Sequence, residues 1–235
     1  VGILERNNWL EKAKSALRLS SIENDYDRAR ILCYTNRIVD YLVPHARRAV
    51  HGDMADQYQV LPGEVLISRK AVMINASPND EDVGEEPDIL ISSNREMVVQ
   101  DVIPNIFDLS SLGINNDFEQ SLPTIKTQIA KVTCDQKEFS LRLIPQIGSK
   151  SRIELDSTLR ELSNYARERG NKNISSIWKL FFFIRDSFAS LGPASVLTIH
   201  RSQGSTFGEV FITSDVFWPK DLEFRRRLVY VAVSR

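Results

Sequence analysis

Cysteine is almost missing from this chain. Cys33 and Cys134 are the only two in 235 residues. They lie far apart, each inside an apolar run, with no CxxC and no Cys/His spacing. Neither a disulfide framework nor a zinc site fits that pattern, and two isolated thiols fit a reducing cytoplasm. No apolar run reaches the roughly 20 residues that cross a bilayer, and no signal-peptide pattern opens the sequence. Charge of one sign is lacking too. The formal net charge is −1, so nothing global announces a nucleic-acid partner. Near-neutral charge does not exclude one either, because a nucleic-acid site needs only a local basic groove.

A phosphate-binding loop is also missing. The form GxxxxGK[ST] occurs nowhere. Gly148-Ser149-Lys150-Ser151 imitates it without a Lys directly after the Gly, and position 143 is Leu. No Asp-Glu pair closes an apolar strand to hold Mg²⁺. Hydrolysis of a nucleoside triphosphate needs both parts. The chain alone is therefore expected to be inactive as an NTPase.

What is present is concentrated at the C-terminal end. Ser195–Ile199 and Glu209–Thr213 read as short buried strands. They flank a polar, Gly-containing turn, His200–Gly208. A third apolar run, Leu228–Val233, reads as another strand and leads into Ser234-Arg235. Polar residues at a strand end of an open α/β sheet are where ligands bind.

Earlier in the chain, Leu4–Leu19 has the spacing of an amphipathic helix. Arg30–Tyr34 reads as a strand, and Asn36 as the N-cap of a helix with the stripe Val39, Leu42, Val43, Ala46, Val50. Pro44 is expected to kink that helix. From residue 62 the texture turns to short strands: 65–74, 89–92, 97–103, 124–134 and 139–144. Between them lie an acidic loop, Pro78–Asp88, and an aperiodic stretch, 104–123. Short strands so spaced suggest a small barrel or sandwich. Helices return at 151–169, ended by Gly170-Asn171, and at 175–191. In the second of these, Trp178 and Phe181–Phe183 fit core packing better than base stacking. Arg225–Arg227 fit a solvated helix face.

The C-terminal wording carries a resemblance. Thr198-Ile199-His200-Arg201-Ser202-Gln203-Gly204-Ser205-Thr206 resembles motif V of superfamily 1 helicases, and Val229–Arg235 resembles motif VI. HRSQGST points to the RecD/Dda-like branch, which moves 5′ to 3′ on single-stranded DNA. Tyr34-Thr35-Asn36 with Arg47 resembles motif IV, although Val43 stands where the family often has a second Asn. The resemblance implies an α/β fold. It would be a RecA-like second motor domain with a parallel sheet, at 1–61 and 150–235, interrupted at 62–149 by a small barrel similar to the Src-homology-3 fold.

It also implies roles. Arg235 would be an arginine finger and Arg47 a second γ-phosphate contact. Gln203, Gly204, Ser205 and Thr206 would lie near the nucleotide. Thr35, Asn36, Thr198, His200 and Ser202 would face DNA. ATP with Mg²⁺ would be held mainly by an N-terminal RecA-like domain outside this stretch. That domain, single-stranded DNA and other repair or recombination subunits are the implied partners, with no membrane. A helicase-like subunit of an exonuclease V type complex, and a non-catalytic interaction module, are the alternatives.

Overall fold

The computed structural model describes residues 5–73, 89–110, 122–168 and 174–234. The acidic loop 78–88, the helix stop 170–171 and Arg235 lie outside them. The first elements are α1 (Arg6–Glu23), β1 (Ala29–Cys33), α2 (Asn36–His51), α3 (Met54–Gln57), β2 (Val65–Ser68) and β3 (Val72–Met73). Next come β4 (Ile89–Ile91), β5 (Glu96–Asp108), β6 (Thr124–Cys134), β7 (Lys137–Arg142), α4 (Lys150–Glu168) and α5 (Ile174–Asp186). Last are β8 (Leu191–Pro193), β9 (Val196–Thr198), β10 (Glu209–Ile212) and α6 (Leu222–Val233). The chain divides into two compact units, 1–66 with 193–235, and 67–192.

The first unit is built around a three-stranded parallel sheet in the order β10-β1-β9. All five residues of β1 are buried, as expected of a central parallel strand covered on both faces. Ala13, Ala16 and Leu17 of α1 pack with Val39, Leu42 and Ala46 of α2 against Ile31, Val196 and Phe211. Trp9 meets Phe211 edge-on at 6.3 Å. Helix α1 runs past Ser20-Ser21 and stops at Asn24, whose left-handed φ of 51° suits an Asn helix end. Thr35, not Asn36, caps α2, accepting from the Ile38 N–H at 3.4 Å.

The second unit contains the long antiparallel pair β5–β6, with β7 beside β6. The sheet order is β7-β6-β5-β2-β8, and β3 and β4 form a separate pair. Strand β5 extends through Asp108, so residues 104–108 are strand rather than loop. Leu155, Leu162 and Ala166 of α4 and Ile177, Leu180 and Ile184 of α5 share one core with Leu109, Leu122 and Ile125. That common core is why both helices belong to this compact unit. The boundary between the two compact units falls at 192/193. Trp178, Phe181 and Phe183 pack against this core, and Phe182 is exposed.

The run Leu228–Val233 is not a strand. It is the second half of α6, and the reason is local. Asp221 caps the helix by accepting from the Glu223 and Phe224 N–H groups at 2.8 and 3.1 Å. Glu223 pairs with Arg227 one turn on. Leu228 and Ala232, four apart, are its buried pair. A short apolar run does not by itself separate strand from buried helix.

Candidate functional site at the carboxyl edge of the parallel sheet

Because β9, β1 and β10 run the same way, their carboxyl ends share one edge. Tyr34-Thr35-Asn36 leaves β1 there, Ile199-His200 leaves β9, and Thr213–Phe217 leaves β10. Asp215 ties the middle of this edge together. It is 1% exposed. Its carboxylate accepts from the Tyr34 N–H at 3.0 Å, the Thr35 N–H at 2.9 Å and the Thr35 hydroxyl at 3.1 Å. The Thr213 hydroxyl donates to it as well. A buried carboxylate is tolerated when its lone pairs are filled in this way. Sequence reasoning missed Asp215. The available signal was Thr-Ser-Asp directly after an apolar strand, where short polar side chains bond local backbone.

The clamp fixes neighbours. Beside it, Cys33 is fully buried, and burial pushes its thiol up to about 12, so it is inert at neutral pH. The Tyr34 ring meets Phe224 of α6 edge-on at 6.0 Å, bringing that helix to the same edge.

The predicted DNA-facing residues separate into two groups. Asn36 and His200 are exposed and Thr35 is half-buried. Thr198 is buried, and its carbonyl accepts from Arg201 N–H at 2.9 Å and Ser202 N–H at 3.2 Å. Ser202 is 0% exposed and its hydroxyl donates to Ile199 O at 2.8 Å. It closes the turn from inside and does not reach the surface.

The connection from β9 to β10 is an unusually direct parallel crossover, without a helix of its own. It starts at the carboxyl edge. It ends beside Asp27 and Arg28, whose carbonyls accept from Gly208 and Glu209 N–H at 2.9 and 2.7 Å. Gly208 permits that approach, since a Cβ there would sit 3.0 Å from Arg28 O. Gln203, Gly204 and Thr206 are exposed along it and Ser205 is half-buried. Gly204 has φ +90°, a conformation that L residues rarely adopt, and open space where a Cβ would be. Phe207 anchors the far end, buried beneath the Arg30 guanidinium at 5.0 Å.

Arg47 is not brought to this edge. It lies eleven positions past Asn36 along α2, about 16 Å at 1.5 Å per residue. Its guanidinium donates to Glu64 at 2.7 and 3.1 Å, to Ala55 O at 2.9 Å and to Tyr58 O at 3.0 Å. Both partners of the ion pair are buried or nearly so. Around the pair a small cleft is lined by Ser20, Tyr26, His51, Gly63 and Ser195. Burial lowers the His51 pKa. The Glu64 charge opposes that shift and Arg47 adds to it.

Among the described residues, no group of three or more His, Cys, Asp or Glu could hold a metal ion. No helix among them is long and apolar enough to cross a membrane.

Residues 193–235 match the model of the UvrD-like helicase C-terminal domain. The matched stretch holds β9, the crossover, β10, Asp215 and α6. It supports a superfamily 1 helicase C-terminal region here. No curated protein matches the chain.

Proposed function

We propose that this chain is the second motor domain of an ATP-dependent DNA helicase or translocase of the RecD/Dda-like, 5′-to-3′ branch. The observation that carries the reading is the family match over 193–235, on a stretch whose two strands flank β1 in a parallel sheet. In this reading the first unit is RecA-like and the strands between 62 and 149 belong to an inserted domain similar to the Src-homology-3 barrel. The working site is the carboxyl edge. Asn36, Thr35 and His200 offer hydroxyl, amide and imidazole groups to a sugar-phosphate backbone without reading sequence. Thr198 and Ser202 shape the turn that presents His200. Gln203, Gly204, Ser205 and Thr206 flank the nucleotide.

ATP and Mg²⁺ are held mainly by an N-terminal RecA-like domain elsewhere in the protein. Arg235, next in sequence after Ser234, is the arginine finger of this reading, offering a planar, permanently charged guanidinium to the γ-phosphate during transfer. Arg47 is engaged by Glu64, Ala55 and Tyr58, so a phosphate role for it requires exchanging those bonds. Cycles of closure and opening then ratchet the strand contacts along DNA. The protein works in the cytoplasm, in repair or recombination, with or without nuclease subunits of the exonuclease V kind.

The test is Arg235→Ala in the full-length protein, read as single-stranded-DNA-stimulated ATP turnover. Loss of about 10³-fold in kcat is expected of a finger. Turnover equal to that of the unaltered protein removes the finger assignment.

A further inference from the structure

The turn between β10 and α6 has chemistry that the family match does not explain. Phe217 and Trp218 are 60% and 57% exposed, two large aromatics side by side on the surface. Such side chains normally bury most of their area or mark a binding surface. The basic residues Lys220, Arg225 and Arg226 follow within eight positions. The two acids of this stretch are committed: Asp221 caps α6 and Glu223 pairs with Arg227. Among the described residues, Lys220 and Arg226 are in no ion pair, and Arg225 meets only the Phe217 carbonyl, at 3.5 Å.

The turn is also held in place. Ser214–Phe217 is a 3-10 turn that starts at the Asp215 clamp, and the Trp218 N–H donates to Asp215 O at 3.0 Å. The same Asp215 carboxylate holds Tyr34 and Thr35. Phe224 touches Tyr34. The aromatic pair is therefore fastened to the edge that carries Thr35 and Asn36.

We infer that Phe217 and Trp218 form a base-stacking platform for single-stranded nucleic acid, with Lys220, Arg225 and Arg226 holding the backbone beside it. Exposed aromatics interleaved with uncommitted cations match a strand that is flat and apolar on its bases and anionic on its phosphates. The inference rests on the proposed function, since it names a further contact for the same strand. Stacking is tolerant of sequence, as a translocating motor requires.

The experiment compares Trp218→Ala and Trp218→Phe with the unaltered full-length protein. Each is titrated with a short oligothymidine and with an abasic strand of equal length, and thermal melting confirms the fold. Trp218→Ala is expected to weaken oligothymidine binding roughly tenfold or more, Trp218→Phe to restore most of it, and abasic binding to be equal in all three. Lys220→Gln with Arg226→Gln should lower the salt slope by about 1.4, which Trp218→Ala should not change. Equal oligothymidine affinity in Trp218→Ala overturns the platform and leaves the proposed function standing. Equal loss on both strands overturns stacking. If the unaltered protein binds no single strand at all, the platform and the proposed function fall together.

Discussion

The two edges of the parallel sheet solve the same problem and end differently. Each fastens one end of α2 to a loop through one buried carboxylate. At the amino edge, Glu64 meets Arg47, and the guanidinium also satisfies two loop carbonyls. Side chains there are used up on one another. At the carboxyl edge, Asp215 takes backbone N–H groups and two hydroxyls. That clamp consumes the backbone and leaves side chains such as Asn36 and His200 exposed. Buried polar groups at one edge secure the fold, and at the other they present a surface.

The largest effect expected from this contrast is on stability at the amino edge. Glu64→Ala leaves the Arg47 guanidinium half-satisfied in a buried place and should cost about 3–5 kcal/mol in urea unfolding. A cost near zero would mean the pair is exposed in solution. Next comes Asp215→Ala, which orphans the Tyr34 and Thr35 N–H groups. About 3 kcal/mol is expected, with DNA-stimulated turnover falling alongside. Asp215→Asn should recover part of the stability, because the amide oxygen still accepts. Stability lost with full turnover retained would separate the clamp from function.

Gly204→Ala is smaller, about 1–2 kcal/mol, because only the left-handed backbone resists it and the added methyl meets nothing. A loss of nucleotide affinity beyond that would mark the space beside Gly204 as occupied in the working complex.

The smallest effect is a pH dependence at the amino edge. His51 has its pKa lowered from 6.5, by burial first. The unfolded chain then binds more protons than the folded one just below 6.5. Stability should be full above that value and decline as pH falls through the lowered folded value. His51→Gln should flatten that part of the profile, and an unchanged profile would show that the imidazole is free in solution.

Much of this was legible in sequence for physical reasons. β1 and β9 announce themselves because buried parallel strands are continuous apolar runs between turn residues, and β10, an outer strand, is only partly buried. The crossover is legible from Gly204 and its polar neighbours. Four features were not. Leu228–Val233 looks like a strand because six apolar residues contain no phase, and the deciding signal, Asp221 with Glu223 and Arg227, lies upstream. Asp215 is a single acid whose partners are backbone groups some 180 positions away in sequence. Arg47 matches a motif by its place in the sequence, but its distance along α2 takes it to the other edge. Helices 150–168 and 174–186 group by core, and that core is long-range.

The most direct test of the central claim is ATP turnover stimulated by single-stranded DNA, measured on the full-length protein beside this chain alone. Under the proposed function, turnover is expected in the full-length protein and none from these residues alone, because in that reading the carboxyl edge contacts a nucleotide bound elsewhere. Turnover by the chain alone would contradict it, because a phosphate cradle would then lie within these residues.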